Sequence, residues 1–219
     1  MDSPLVSTVA FEIGPIAVHW SVVTTWGIMA VLTLVGVLMT RNLSKTPGPI
    51  QAVLELLVEA LDSEIRATIA GDPARYRGLI GMLLVFVLCA NWSSIIPGVE
   101  PPTAHLETDA ALALLVFVSS VWWGIGAQGF GGWLSNFAKP SWVMIPLNIM
   151  EQITRHFSLM VRLFGNVMSG VFVIGIVLSL AGLLVPIPFM ALDLLTGAVQ
   201  AYIFAILALV FVGSAVSPK

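Results

Sequence analysis

The chain has 219 residues, 58% of them hydrophobic and 10% charged, with a formal net charge of −3. Its long apolar runs exclude a soluble globular domain, since several reach the ~20 residues a helix needs to cross a bilayer, and they are not the short alternating segments of a β-barrel. No basic tract points to nucleic acid, and Cys89, the only cysteine, leaves no intrachain disulfide and no thiol metal site.

The first fourteen residues are acidic and lack the basic start of a signal peptide, so the first apolar segment is expected to stay in the protein. Residues 1–16 read as a tail and 17–219 as a single membrane domain. A first span is expected over 17–40. "RNLSKTPGP" follows, with prolines that punctuate the chain. Over 50–70, Gln51, Glu55, Glu59, Asp62 and Arg66 recur at steps of three or four, while Ile50, Leu54, Leu57, Leu61 and Ile65 fill another face. That pattern predicts an amphipathic helix lying at the membrane surface or against protein. Further spans are expected over 79–96, 109–131, 144–182 and 187–216. The fourth exceeds one perpendicular crossing and should tilt or bend. The fold class is therefore an all-α polytopic membrane protein, with about five crossing helices, one amphipathic helix and two long, tilted final helices.

Arg41, Lys45, Arg66, Arg75 and Arg77 follow span one, Lys139 follows span three, and Lys219 ends the chain. Five crossings put all of them on one side, which the positive-inside rule makes cytoplasmic, with the N-terminus outside. Several tryptophans fall near expected span ends, as interfacial anchors do. No internal repeat supports an inverted-repeat transporter.

Within the fourth span, Asn148, Gln152, Arg155, Arg162, Asn166 and Ser169 are spaced 4, 3, 7, 4 and 3 apart, which puts them on one helix face. Arg155 has Glu151 one turn earlier and pairs locally. His156 is read as lying near the interface. Arg162 has no acid three or four residues away, so its counter-charge must come from another helix or another subunit. A charge inside a span usually faces protein or a wet cavity. In the last span, Asp193, Thr196 and Gln200 form a polar face, and Gly197, Ala201, Ala205 and Ala208 form a small-residue edge for close helix packing. Asp193 either serves an ion path or bonds locally to Thr196 or a helix turn.

"SLMVRLFGNVMSG" (158–170), "QAYIFAILALVFV" (200–212) and the Asn-before-Pro-Gly end of the second span appear in unbroken order over residues 50–216. Together they resemble the a subunit of the membrane sector of F-type ATP synthases. The resemblance implies an ion-translocating stator subunit with two half-channels beside a ring of c subunits. It couples H⁺ or Na⁺ flow to rotation. Arg162 would face the ring carboxylate, with Asn166 one turn on and Gln200 approaching from the last helix. The ion pathway would use Asp193, Asn148, Ser169 and Gln152. Partners implied are the c-ring, peripheral-stalk b subunits, the catalytic head through the complex, and membrane lipid. The localisation implied is a bacterial inner membrane. Two positions depart from the family pattern: an acid common nine residues after the arginine is Val171 here, and a glutamate common fourteen before it is Asn148. Asp193, at a position that is often titratable, would then bear the access path from the last helix, across from Val171.

No Gly-x-x-x-x-Gly-Lys-Ser/Thr loop occurs, so ATP chemistry is expected to belong to partners. No cofactor or metal is expected of this non-catalytic chain. The alternative reading is a stand-alone secondary ion transporter.

Overall fold

The structure, a computed structural model, describes residues 9–13, 16–41, 48–69, 71–96, 99, 101–137, 142–182 and 184–217. Residues 1–8 of the expected tail lie outside the described residues, as do Lys45, Lys139 and Lys219.

Strand β1 (Val9–Ile13) pairs antiparallel with β2 (Ile16–His19), with Ile13 opposite Ile16. Residues 9–13 were expected as tail and 17–19 as helix. The β-branched Val9, Ile13, Ile16 and Val18 favour extended backbone, and the first helix begins only after them. Six α-helices follow among the described residues: α1 (Trp20–Thr40), α2 (Pro49–Thr68), α3 (Ala74–Trp92), α4 (Leu106–Phe137), α5 (Ile145–Ala181) and α6 (Pro186–Val216). All but α2 are long and apolar enough to cross a membrane. The chain is thus a helical polytopic membrane protein with a short hairpin ahead of its first span.

Prolines mark the first turns of α2, α5 and α6, where a missing N–H costs no hydrogen bond. Gly129 breaks α4 with φ 73° and ψ 162°, a conformation only glycine adopts cheaply. The 37 residues of α5 span about 55 Å at 1.5 Å per residue. That is nearly twice the ~30 Å hydrocarbon core, so α5 crosses on a slope or runs on outside it.

The core lies among α3, α4, α5 and α6. It contains Val87 and Ala90, then Val116, then Leu159 and Leu163, then Ala201, Phe204, Ala205 and Ala208. Lipid tails are as apolar as these side chains, so burial alone does not draw spanning helices together; close contact and interhelical hydrogen bonds do. The small-residue edge of α6 supplies that contact. Gly197, Ala201, Ala205 and Ala208 are all buried, and a Cβ on Gly197 would lie 3.1 Å from the Asn91 Cβ. Tyr76 and Trp123 join α3 to α4 edge-to-face, with ring centroids 5.1 Å apart.

Hydrogen bonds set which helix ends meet. Asn91 Nδ2 donates to the Gly197 carbonyl at 2.9 Å, and Trp92 Nε1 to the Leu194 carbonyl at 3.1 Å. The end of α3 therefore meets the start of α6. At the opposite end of the bundle, Gln128 Nε2 donates to the Ala215 carbonyl at 3.1 Å.

Helix α2 packs on protein from Leu57 onward. Leu61 and Ile65 are buried, whereas Ile50, Val53 and Leu56 are exposed. Arg77 clamps it with two bonds to the Asp62 carboxylate, 2.6 Å from Nε and 2.5 Å from an Nη. The hydrogen bonds from Arg77 hold the Asp62 carboxyl below its ordinary range. A carboxyl lowered by folding stabilises above its unfolded pKa, about 4, and that support goes as pH falls through the lower folded value. Asp62→Asn is therefore expected to lower the melting temperature of the detergent-solubilised chain at pH 7. The gap to the parent chain should close in strong acid. An equal gap at pH 7 and pH 3 would assign the loss to packing instead.

Candidate functional site

Helix α5 has two adjoining stripes. His156, Leu159, Leu163 and Val167 are buried at steps of 3, 4 and 4, and form the seam against the bundle. The polar residues of the sequence-derived stripe run along the edge of that seam. Arg155 and Asn166 are half-buried, while Arg162 and Ser169 are exposed. A helix turns 100° per residue, so a stripe built on Arg162 cannot share the line of Leu163.

Arg155 pairs with Glu151 one turn earlier, as the spacing suggests. Arg162 has no hydrogen bond or ion pair among the described residues. No acid of the described chain supplies its counter-charge. An exposed guanidinium on a spanning helix, always protonated, is then available to an acid outside the chain.

Two separate cavities lie along the contact of α5 with α6. One, about 730 Å³, is bounded by Glu151, Arg155, Ser158 and Arg162 on α5 and by Leu207 and Phe211 on α6. The other, about 200 Å³, is bounded by Asn166, Ser169 and Gly170 on α5 and by Asp193 and Thr196 on α6. The single turn from Arg162 to Asn166 divides them. The smaller one has room for several waters at ~30 Å³ each, with polar partners to hold them.

Asp193 is seated by its neighbours. A Cβ on Gly170 would lie 2.0 Å from its Oδ1, so only glycine leaves space for the carboxylate against α5. Ser94 Oγ donates to Oδ2 at 3.3 Å. The local bond from Thr196 Oγ1 goes to the Asp193 backbone carbonyl, at 3.1 Å, and leaves the carboxylate free for the cavity. The residue of α5 against the carboxylate is thus Gly170, one position before Val171.

Gln200 is buried, and its Nε2 has no hydrogen-bond partner; the buried Nδ2 of Asn166 is likewise unpartnered. No hydrogen bond joins Gln200 to Arg162 among the described residues. Asn148 and Gln152 are half-buried and line neither cavity. The Gln152 carbonyl instead faces His156 Nδ1 at 2.9 Å. A carbonyl only accepts, so Nδ1 bears the proton. His156 is buried in the bundle: its ring packs between Phe117 of α4 and Phe211 of α6, centroids 5.0 and 5.1 Å away.

Residues 91–103 contribute more than the sequence suggests. Thr103, fully buried, donates to Asn91 Oδ1 at 2.8 Å, while Asn91 itself bonds α6. With Trp92 and Ser94, these residues hold the start of α6 and so position Asp193. Four residues with hydrogen-bonding side chains on either side of Pro-Gly in the sequence were the available signal.

The profile of the family described as "ATP synthase A chain" matches residues 22–213. A protein of Bradyrhizobium sp. named ATP synthase subunit a 2 is 53% identical over 98% of this chain and 96% of its own length. ATP synthase subunit a of Albidiferax ferrireducens is 45% identical, covering 92% of this chain and 88% of its own. ATP synthase subunit a 1 of Prosthecochloris aestuarii is 41% identical over 96% of each chain. Likeness at this level along nearly the whole chain leaves one conclusion: the chain belongs to the ATP synthase A chain family, the a subunits in the membrane sector of F-type ATP synthases.

Proposed function

We propose that the chain carries the coupling ion through the membrane in two half-paths that meet at Arg162, beside a ring of c subunits. The supporting observation is the pair of cavities divided by the Arg162–Asn166 turn. One continuous channel would leak ions. Two cavities that share no lining residue would instead hand each ion to a moving carrier between them, and the carrier's carboxylate fits an exposed guanidinium that has no acid partner among the described residues. Arginine suits the dividing point because it attracts a carboxylate that has lost its ion, yet cannot pass a proton itself. An elementary charge moved through 100 mV supplies about 2.3 kcal/mol, so several ions are needed for each ATP made by the attached head.

On this reading Asp193 and Ser169 serve the non-cytoplasmic cavity, and Asn166 and Gln200 flank Arg162. Asn148 and Gln152 act at most as supports beyond the cavities. The N-terminus lies outside and the C-terminus in the cytoplasm, since the cations then fall inside. The ion is H⁺ or Na⁺.

Affinity purification of the tagged chain from native membranes in mild detergent tests the assembly. The c-ring, the b-type peripheral stalk and the catalytic head are expected with it in constant proportion. Recovery of the chain alone, still moving ions in vesicles, would overturn the proposal in favour of a stand-alone transporter.

A further inference from the structure

Asp109 is fully buried in the first turns of α4, and neither of its carboxylate oxygens has a hydrogen-bond partner. It plays no part in the cavities described above. Asp109, Ala113, Val116 and Ser120 are all buried at steps of 4, 3 and 4, so they share one face of α4. Val116 of that face sits in the core with Leu159 and Leu163 of α5 and with Ala205 and Ala208 of α6. Asp109 lies two turns, about 11 Å, nearer the α4 start. Helix α5 runs opposite to α4, and α6 runs with it. The same two turns lead on α5 to the level of Asn166–Gly170 and on α6 to that of Gly197–Ala201.

At that level the interior also holds the unpartnered amide nitrogens of Asn166 and Gln200, and nearby the buried Thr103–Asn91 pair. A dry carboxylate without a donor or counter-charge is strongly disfavoured. The helix-dipole contribution from the first turns of α4 is small beside that penalty. The ionisable groups on the helices packed against α4 are Glu151, Arg155, His156 and Arg162 on α5 and Asp193 and Tyr202 on α6, with His105 and Glu107 beside Asp109 in the chain. Neither oxygen of its carboxylate accepts a hydrogen bond from any of them. Such a group asks for a small cation or water.

We propose that Asp109 is a further ion-holding carboxylate of the transport path, inside the four-helix junction and separate from Asp193. It takes up the coupling cation from the 101–105 side and releases it unchanged toward Asn166 and Gln200. Only an O–H bond, or an oxygen–Na⁺ contact, forms and breaks. The inference rests on the ion-path reading of Arg162.

The test uses the assembled complex in vesicles stripped of the catalytic head. Ion flow is followed with a pH-sensitive dye in one arm and with ²²Na⁺ in the other. Asp109→Asn keeps the shape and removes the titratable group. It is expected to slow flow about tenfold and to flatten its dependence on the pH of the non-cytoplasmic side. The arm that responds identifies the ion. Asp109→Glu is expected to retain flow with a displaced pH midpoint. A purely structural role would leave that midpoint in place. Unchanged flow and pH profile in the Asn chain would overturn the inference. If the Asn chain fails to assemble, an unchanged profile in the Glu chain overturns it equally. Arg162→Ala is run in parallel with the catalytic head retained: if it leaves ATP-driven pumping intact, the ion-path reading itself has failed.

Discussion

Arg162→Ala is expected to abolish ion-driven ATP synthesis and ATP-driven pumping while the complex still assembles. Arg162 is exposed and carries no hydrogen bond or ion pair in the described chain, so its removal opens no hole in the core and breaks no internal contact. What is lost is the fixed positive charge on the turn that divides the two cavities. Losing one preorganised electrostatic group typically costs on the order of 10²–10³ in rate, and coupling should fall at least that far. Arg162→Lys should also fail largely, because an ammonium lacks the planar fork and can lose its proton when desolvated. ATP synthesis at the parent rate in reconstituted vesicles carrying the alanine chain would refute the role.

Asp193→Asn should slow passage of the coupling ion through the head-stripped membrane sector by about a hundredfold, the low end of what a positioned proton-transfer group contributes. The amide fits the same seat beside Gly170 and Ser94, so assembly should be unaffected. Gly170→Ala provides a second approach that keeps the carboxylate. The new Cβ would fall 2.0 Å from Asp193 Oδ1, and the side chain must swing out of the cavity. Flow should drop although every ionisable group is still present. Adding Val171→Glu to Asp193→Asn should restore part of the flow by returning an acid to the same region from α5. Full conduction in both the Asn and the Gly170→Ala chains, measured with a membrane potential imposed by K⁺ and valinomycin, would dismiss Asp193 from the path.

What the sequence alone made legible were features that depend on local spacing. Helical spans are readable because a bilayer demands some twenty apolar residues in a row. The Glu151–Arg155 pair is readable because four residues make about one turn. The small-residue edge of α6 is readable because only small side chains let spanning helices approach. Even the oddity of Arg162 is visible, since no acid lies three or four positions away. The hairpin before α1 was hidden, because four β-branched residues beside an apolar run do not distinguish strand from helix until the strands pair.

Tertiary structure decided everything that requires two distant segments to meet. It set Arg155 and Arg162 in one cavity and Asn166 and Ser169 in another, each bounded on its other side by α6. It seated Asp193 against Gly170, a contact set by helix crossing that no spacing within either helix encodes. It drew Asn91 and Thr103 together across a twelve-residue separation and packed His156 into an aromatic junction. It also enclosed Asp109, which in sequence is only the first acid of an apolar run. Burial is a property of the surroundings, and α4 as a whole packs on α5, α6 and the 102–104 turn, none of which Asp109 can specify by itself.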